Sequence, residues 1–96
     1  MAYIYILYSP SLSDTIKIGR TKRRCQTRAR ELNKGDYKGA TLPFVVRARF
    51  KTSSPKKHEA EIHRRLAHVR KGRQELFQIE LTDAIRVIES VIHGSS

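Results

Sequence analysis

One segment of the chain places a carboxylate and an imidazole among apolar residues at helical spacing. The four residues are Glu59, Ile62, His63 and Leu66. On a helix all four share one face, so that Glu59 and His63 flank an apolar stripe. Two interpretations fit this pattern: Glu59 pairs at the surface with Lys56 or Arg64, or it lies in a cleft and binds a hard cation such as Mg²⁺. Glu61 points away from this face and is expected to be ordinary surface.

A second set of reactive groups lies near the N-terminus. Tyr3, Tyr5 and Leu7 alternate along one face of a predicted strand. Lys17 lies on the face of the next predicted strand that is opposite to Ile16 and Ile18. If the two strands pair, a tyrosine and a lysine project to the same side of the sheet. A phenol has a reference pKa of about 10, which nearby cations lower, so such a tyrosine could accept a proton from water. The alternative is an aromatic ring that only packs on the sheet.

A third candidate is an arginine on a predicted short helix. Arg28 lies three residues after Cys25 and four before Leu32. From such a helix, a guanidinium packed on a sheet can reach a phosphate with two hydrogen bonds. Arg24 and Arg30 compete with Arg28 for this role on spacing alone.

The elements that must position these residues follow from hydrophobic periodicity and turn chemistry. Strands are predicted over residues 3–8, 15–19, 43–51 and 75–81, and helices over 26–33, from Ser54 to Val69 or Arg70, and from the Thr82-Asp83 cap to Ile92. The order predicts an α+β fold, a small three-stranded antiparallel sheet flanked by helices, with residues 75–81 as an additional edge strand. Residues 1–93 are expected to form one domain and 94–96 a disordered tail.

Composition narrows the class of protein. The chain has 96 residues with 20 Lys and Arg, 9 Asp and Glu, and a formal net charge of +11. The charge is concentrated, since residues 17–73 carry +15 and the remainder −4. Such a basic region favours nucleic acid as the partner and an anionic membrane surface less so, with a solvated surface as the plain alternative. No apolar run is long enough for a transmembrane helix and no signal peptide is evident, so a cytoplasmic protein without a membrane partner is expected. The single cysteine, Cys25, fits a reducing compartment.

Five short motifs occur in order along the chain. They are Tyr3-Ile4-Tyr5, Lys17-Ile18-Gly19, Arg28 to Leu32, Glu59 to His63, and Glu75 to Phe77. In this order and spacing they resemble the GIY-YIG nuclease superfamily, above all its short KIG-type branch of phage and bacterial open reading frames. The resemblance covers about residues 2–88. The chain departs from the pattern at Tyr3, where the first motif has glycine, and at Lys17, where many members have tyrosine.

The resemblance implies a compact nuclease that hydrolyses phosphodiester bonds with one divalent metal, Mg²⁺ or Mn²⁺. Tyr5 would be the general base or its hydrogen-bond relay, with Lys17 activating the water or tuning Tyr5. Arg28 would stabilise charge on the phosphoryl group, Glu59 would be the metal ligand, and His63 would support the site.

The expected function is therefore a metal-dependent endonuclease, with DNA favoured over RNA and a monomer or weak homodimer as the working unit. Non-specific contact with the nucleic-acid backbone is expected from nine basic residues. They are Arg20, Lys22, Arg23, Arg24, Arg47, Arg49, Lys51, Lys56 and Lys57. Two rivals remain: a non-catalytic nucleic-acid-binding module on the same fold, and an interaction protein such as a toxin or antitoxin that binds an acidic partner.

Overall fold

The computed structural model describes residues 2–10, 14–22, 44–72 and 75–94. In chain order, its elements are β1 (Ala2–Tyr8), β2 (Thr15–Thr21), β3 (Val45–Thr52), α1 (Pro55–Arg65), a 3₁₀ turn (Ala67–Val69), β4 (Arg70–Lys71), β5 (Leu76–Gln78) and α2 (Leu81–His93). The predicted α+β class is therefore confirmed. The predicted helix over 26–33, together with Arg23, Arg24, Arg28 and the last two residues of the predicted tail, lies outside the described residues.

The described strands form one antiparallel sheet in the order β3-β1-β2-β5-β4. The predicted three-stranded sheet is thus too small, since the sheet has five strands. The additional strand is present as β5, but it is not at the edge, because β4 lies outside it, and only Leu76–Gln78 of the predicted 75–81 belongs to it. The fifth strand, β4, is two residues long, and so short a segment has no alternating pattern that a sequence could reveal.

The register of β1 against β2 sets the two faces of the sheet. Tyr5 pairs with Gly19 and Leu7 with Lys17. Residues that lie directly opposite in an antiparallel pair project to the same face. The predicted placement of Tyr5 and Lys17 on one side of the sheet is therefore confirmed.

Both helices pack on the other face of the sheet. That core consists of Ile4, Ile6, Ile16 and Ile18 from the strands, Phe77 from β5, Ile62 and Leu66 from the α1 segment, and Ala84 and Ile88 from α2. The predicted stripe of α1 is confirmed, because Ile62 is 0% exposed and Leu66 is 3% exposed. Burial of this stripe fixes the rotation of α1, and it thereby places Glu59 and His63 against the sheet.

Helix α1 begins where the sequence predicts and ends earlier. Ser54 is the N-cap and Pro55 opens the helix, a position where proline costs no hydrogen bond. The hydroxyl oxygen of Thr52 accepts a hydrogen bond from the backbone N–H of Ser54 at 3.0 Å and lies 2.5 Å from His58 Nδ1. These bonds tie the start of α1 to the end of β3.

The predicted end of this helix at Val69 or Arg70 is wrong. The α-helix stops at Arg65, and the chain tightens into the 3₁₀ turn. Such tightening is common at the end of a helix. Leu66 remains part of the core in this turn. Gly72 follows β4 and has a φ of 68°.

The last helix also differs from its prediction at one end. It begins at Leu81 with Glu80 as the N-cap, not at the predicted Thr82-Asp83 cap. Glu80 has extended backbone angles, and its carbonyl accepts the hydrogen bond from Ala84 N. Among the described residues, no helix is long and apolar enough to cross a membrane.

Candidate functional site

The centre of the site is the close approach of two side chains to Gly19 on β2. A Cβ atom at this position would lie 2.5 Å from Tyr5 Oη and 3.0 Å from Glu75 Oε2. The first distance is shorter than real Cβ contacts and the second is tighter than most of them, so only glycine leaves room for both groups as they stand. Tyr5 is itself 1% exposed. Its hydroxyl is therefore held in a fixed place beside the Glu75 carboxylate.

Lys17 lies two residues before this glycine and forms an ion pair with Glu75. Its ammonium donates to Glu75 Oε2 at 2.9 Å. The lysine side chain is 5% exposed and the glutamate side chain 34%. Burial makes an ammonium costly unless it has partners. Glu75 therefore holds Lys17 in the sheet and presents its own carboxylate at the surface.

Helix α1 brings His63 to the same part of β2, next to Lys17 and Gly19. The Nε2 atom of His63 lies 3.0 Å from the Ile18 carbonyl oxygen. A carbonyl can only accept, so Nε2 carries the proton, and in the neutral ring Nδ1 is then the basic nitrogen. The ring also packs against Phe77, with centroids 5.1 Å apart. These two contacts fix the orientation of the imidazole.

Glu59, one turn earlier on α1, pairs with a residue of the sheet. Its Oε1 accepts a hydrogen bond from Arg20 Nε at 3.1 Å. The surface pairing with Lys56 or Arg64 weighed from the sequence is thus not the one formed.

Arg64 instead binds Glu61, and the hydrogen bonds from Arg64 and then Arg65 lower the pKa of Glu61 from its ordinary value of 4.5 to about 2. Glu61 lies apart from the site, as predicted.

Glu59, His63 and Glu75 together form a cluster with the chemistry of a metal site. One potential ligand atom from each lies within 4.8 Å of the others. Opposite ligands of an octahedral Mg²⁺ are about 4.2 Å apart, given bonds of about 2.1 Å. Three ligands include at most one opposite pair, and neighbouring ligands are about 3.0 Å apart, so the side chains would have to close by up to about 1.8 Å to hold one ion. Two carboxylates and an imidazole suit Mn²⁺ as well as Mg²⁺, because nitrogen ligands favour the transition metals.

In the structure, each carboxylate of this cluster is neutralised by a cation of the sheet. Arg20 pairs with Glu59, and Lys17 pairs with Glu75. A bound divalent cation would take over both roles. The residues present thus fit a single metal ion whose charge replaces that of two side chains.

The seven predicted backbone-binding residues that the structure describes fall on two surfaces. Four of them line a groove of about 750 Å³ beside the cluster, namely Arg20, Lys22, Lys56 and Lys57. Three others lie exposed along β3, namely Arg47, Arg49 and Lys51. The guanidinium groups of Arg47 and Arg49 lie 5.0 and 5.7 Å from the ring centroids of Tyr8 and Tyr3. The exposed charges of β3 are thus stacked on the aromatic residues of β1.

Of the five catalytic residues predicted from the sequence, four lie in the described part of the chain. Tyr5 and Lys17 meet Glu75 on one side of β2, and Glu59 and His63 reach the same carboxylate from α1. Glu75 thus joins the two sets, although the sequence analysis used it only as part of a motif. The only signal in the sequence was its place in the Glu75 to Phe77 motif.

The fold and this cluster define a small α+β domain with a carboxylate–histidine site beside β2, the middle strand of the described antiparallel sheet. The family model of the T5orf172 domain matches residues 2–92. The chain therefore belongs to the T5orf172 domain family. The comparison with curated proteins and the comparison with solved structures each found no significant match.

Proposed function

We propose that the protein is a metal-dependent endonuclease that hydrolyses nucleic-acid phosphodiester bonds, with a site related to that of the GIY-YIG nucleases. The observation that carries this proposal is the convergence of Glu59, His63 and Glu75 within 4.8 Å beside a groove lined by four cations. A metal site next to a phosphate-binding surface is what metal-assisted phosphodiester hydrolysis requires. The family membership and the ordered motifs support the same conclusion.

Each acidic or imidazole group of the cluster has a role as a ligand in this proposal. Glu59 holds the cation, and His63 and Glu75 complete its protein ligands. The hydrogen bond to Ile18 orients the His63 ring, as partners of metal-bound histidines commonly do. When bound, Mg²⁺ or Mn²⁺ supplies charge neutralisation at the phosphoryl oxygens.

The remaining groups handle the proton and the phosphate. A water oxygen forms a bond to phosphorus, the bond to the leaving oxygen breaks, and that oxygen takes a proton from solvent. Tyr5 accepts the proton of the attacking water through a bridging water, because its side chain is nearly fully buried. Lys17 lies on the same face of the sheet, where the family resemblance gives it the role of activating the water or tuning Tyr5. Arg28 is assigned to the phosphoryl group from the family resemblance.

The substrate proposed is DNA ahead of RNA, bound through its backbone. One site cuts one strand, so a monomer would nick a duplex and a weak dimer would cut both strands. A cytoplasmic location is proposed on the lone cysteine, Cys25, which suits a reducing compartment.

A cleavage assay on labelled single- and double-stranded DNA and RNA tests this function. Each substrate is incubated with Mg²⁺, Mn²⁺ or EDTA, and the binding of each is measured on the same samples. The proposal predicts cleavage of at least one substrate that depends on the metal. Tight binding with no cleavage of any substrate in either metal would overturn it.

The rival function is a nucleic-acid-binding module without catalysis. One observation favours it: the Arg20–Glu59 and Lys17–Glu75 pairs already satisfy both carboxylates and tie the helix and the sheet edge together. On that account the two glutamates hold the fold, and Mn²⁺ has no site. Titration of Mn²⁺ into the protein, followed by calorimetry, separates the two functions.

A further inference from the structure

The basic groove lies where β2 ends and α1 begins. Its lining combines Arg20 and Lys22 from the β2 end with Lys56 and Lys57 from the first turn of α1. None of the described residues that line it is acidic. Such a lining favours an anion with several negative charges.

The position of the two lysines strengthens this conclusion. The start of a helix carries partial positive charge, and cations there are unfavourable. The first turn of α1, as the structure describes it, carries no acidic residue to offset Lys56 and Lys57. A phosphodiester backbone laid across the groove would relieve this repulsion, because it brings repeated negative charges past both the helix start and the β2 cations.

Arg20 connects this groove to the metal cluster. Among the described residues, it alone both lines the groove and pairs with a carboxylate of the cluster. Its side chain is 42% exposed, whereas that of Glu59 is 15% exposed. The guanidinium is thus the more exposed partner of the pair, and the carboxylate is the more buried one.

We propose that the groove binds the nucleic-acid backbone and that Arg20 moves from Glu59 to a phosphate in the groove when the metal binds. This inference rests on the proposed function, since it needs both the metal and the nucleic acid. Without nucleic acid, Arg20 competes with the metal for Glu59 and weakens metal binding. With a phosphate present, Arg20 has a second partner, and the metal and nucleic acid therefore bind cooperatively. By linkage, each raises the affinity for the other by the same factor.

Two binding measurements test this coupling. The first is calorimetric titration of Mn²⁺ into the free protein and into Arg20→Gln. Removal of the competing guanidinium should tighten Mn²⁺ binding about fivefold, the low end of usual coupling factors. The second is fluorescence anisotropy of a labelled oligonucleotide with and without Ca²⁺ at equal ionic strength. Ca²⁺ should tighten binding about fivefold more in the wild type than in Arg20→Gln, where only the metal's own contact with phosphate would couple the two ligands.

Arg86→Gln is the matched control, because it removes one positive charge from an exposed position of α2 that is not part of the groove. It should retain the Ca²⁺ effect. Equal Ca²⁺ effects in Arg20→Gln, Arg86→Gln and the wild type would overturn the coupling and leave the nuclease proposal standing. A wild type that binds neither Mn²⁺ nor Ca²⁺ would overturn both.

The groove itself is tested by the double variant Lys56→Gln/Lys57→Gln. The logarithm of the affinity for DNA falls linearly with the logarithm of the salt concentration. The slope steepens by about 0.7–0.9 for each phosphate that the protein neutralises. The double variant should therefore lower that slope by about 1.5. A slope equal to that of the wild type would show that the backbone runs elsewhere, for instance along β3.

Discussion

A methyl group added at Gly19 would collide with two side chains of the candidate site. In Gly19→Ala the new Cβ lies 2.5 Å from Tyr5 Oη, 2.7 Å from Tyr5 Cζ and 3.0 Å from Glu75 Oε2, whereas an ordinary contact is 3.4–4 Å. Glu75 has a partly exposed side chain and can move aside. Tyr5 is 1% exposed and has little room to move. Overpacking of a well-filled site costs about 1–3 kcal/mol.

We therefore expect Gly19→Ala to lower the free energy of unfolding by about 2 kcal/mol, which in a domain of this size lowers Tm by about 12 °C. To reach 3.4 Å, Tyr5 Oη must shift by about 0.9 Å and Glu75 Oε2 by about 0.4 Å, and a misplacement of about 1 Å can reduce a rate about 100-fold. Thermal unfolding by circular dichroism measures the first effect. Cleavage rates, taken well below the lowered Tm, measure the second.

The double variant Tyr5→Phe/Gly19→Ala distinguishes this collision from other causes. Phenylalanine lacks the Oη atom, so the stability lost through alanine should be smaller in the Tyr5→Phe background than in the wild type. Strictly additive losses would refute the reasoning. So would a Gly19→Ala protein with the stability and the cleavage rate of the wild type.

Three further variants test the surroundings of the site. Glu75→Gln should lower the free energy of unfolding, measured by urea denaturation, by about 1–3 kcal/mol, because it removes a charged partner of the buried Lys17. Lys17→Met should lower it less, because no buried charge remains. The reverse order would contradict the assigned pair. Gly72→Ala should lower stability by about 1 kcal/mol through its φ of 68° alone, since no atom of the described residues lies within 4 Å of the added methyl group, and an unchanged melting temperature would count against this. Glu61→Gln should reduce the loss of the free energy of unfolding as the pH falls below about 4.5. The lowered pKa of Glu61 stabilises the fold above about pH 4.5 and loses its effect as the pH falls towards 2, so identical acid profiles would contradict the ion pairs.

The features that the sequence predicts well are those that depend on a regular spacing of residues along one helix or strand. The spacing of Ile62 and Leu66 predicted the buried face of α1, and with it the position of Glu59 and His63 beside that face. The alternation in the first two strands predicted that Tyr5 and Lys17 share a side of the sheet. Each of these inferences needs only the geometry of one element or one strand pair.

The features that the sequence did not predict depend on the register of strand pairing and on very short elements. Glu75 joins the site because β5 pairs with β2 so that its backbone oxygen accepts from Ile18 N at 3.1 Å. That pairing spans more than fifty residues of chain and has no local pattern. The two-residue β4 and the early end of α1 at Arg65 were missed for a related reason. Tertiary packing, not periodicity, decides where such short elements begin and end.

The pairing of Arg20 with Glu59 was beyond sequence reasoning as well. Spacing within α1 suggested partners on the same helix, Lys56 or Arg64. The structure selects a residue of the sheet instead, because burial of Ile62 turns Glu59 towards the end of β2. The position of the carboxylate was predictable from the helix, and its partner was not.

The most direct test of the nuclease account is the single-turnover cleavage rate of Glu59→Gln beside that of Glu61→Gln. Both variants replace a carboxylate on α1 with its amide, and only Glu59 belongs to the proposed metal site. With protein in excess and Mn²⁺ present, the account predicts a rate at least about 100-fold lower for Glu59→Gln and close to the wild-type rate for Glu61→Gln, with oligonucleotide binding retained in both. A Glu59→Gln protein that cleaves as fast as Glu61→Gln would contradict it.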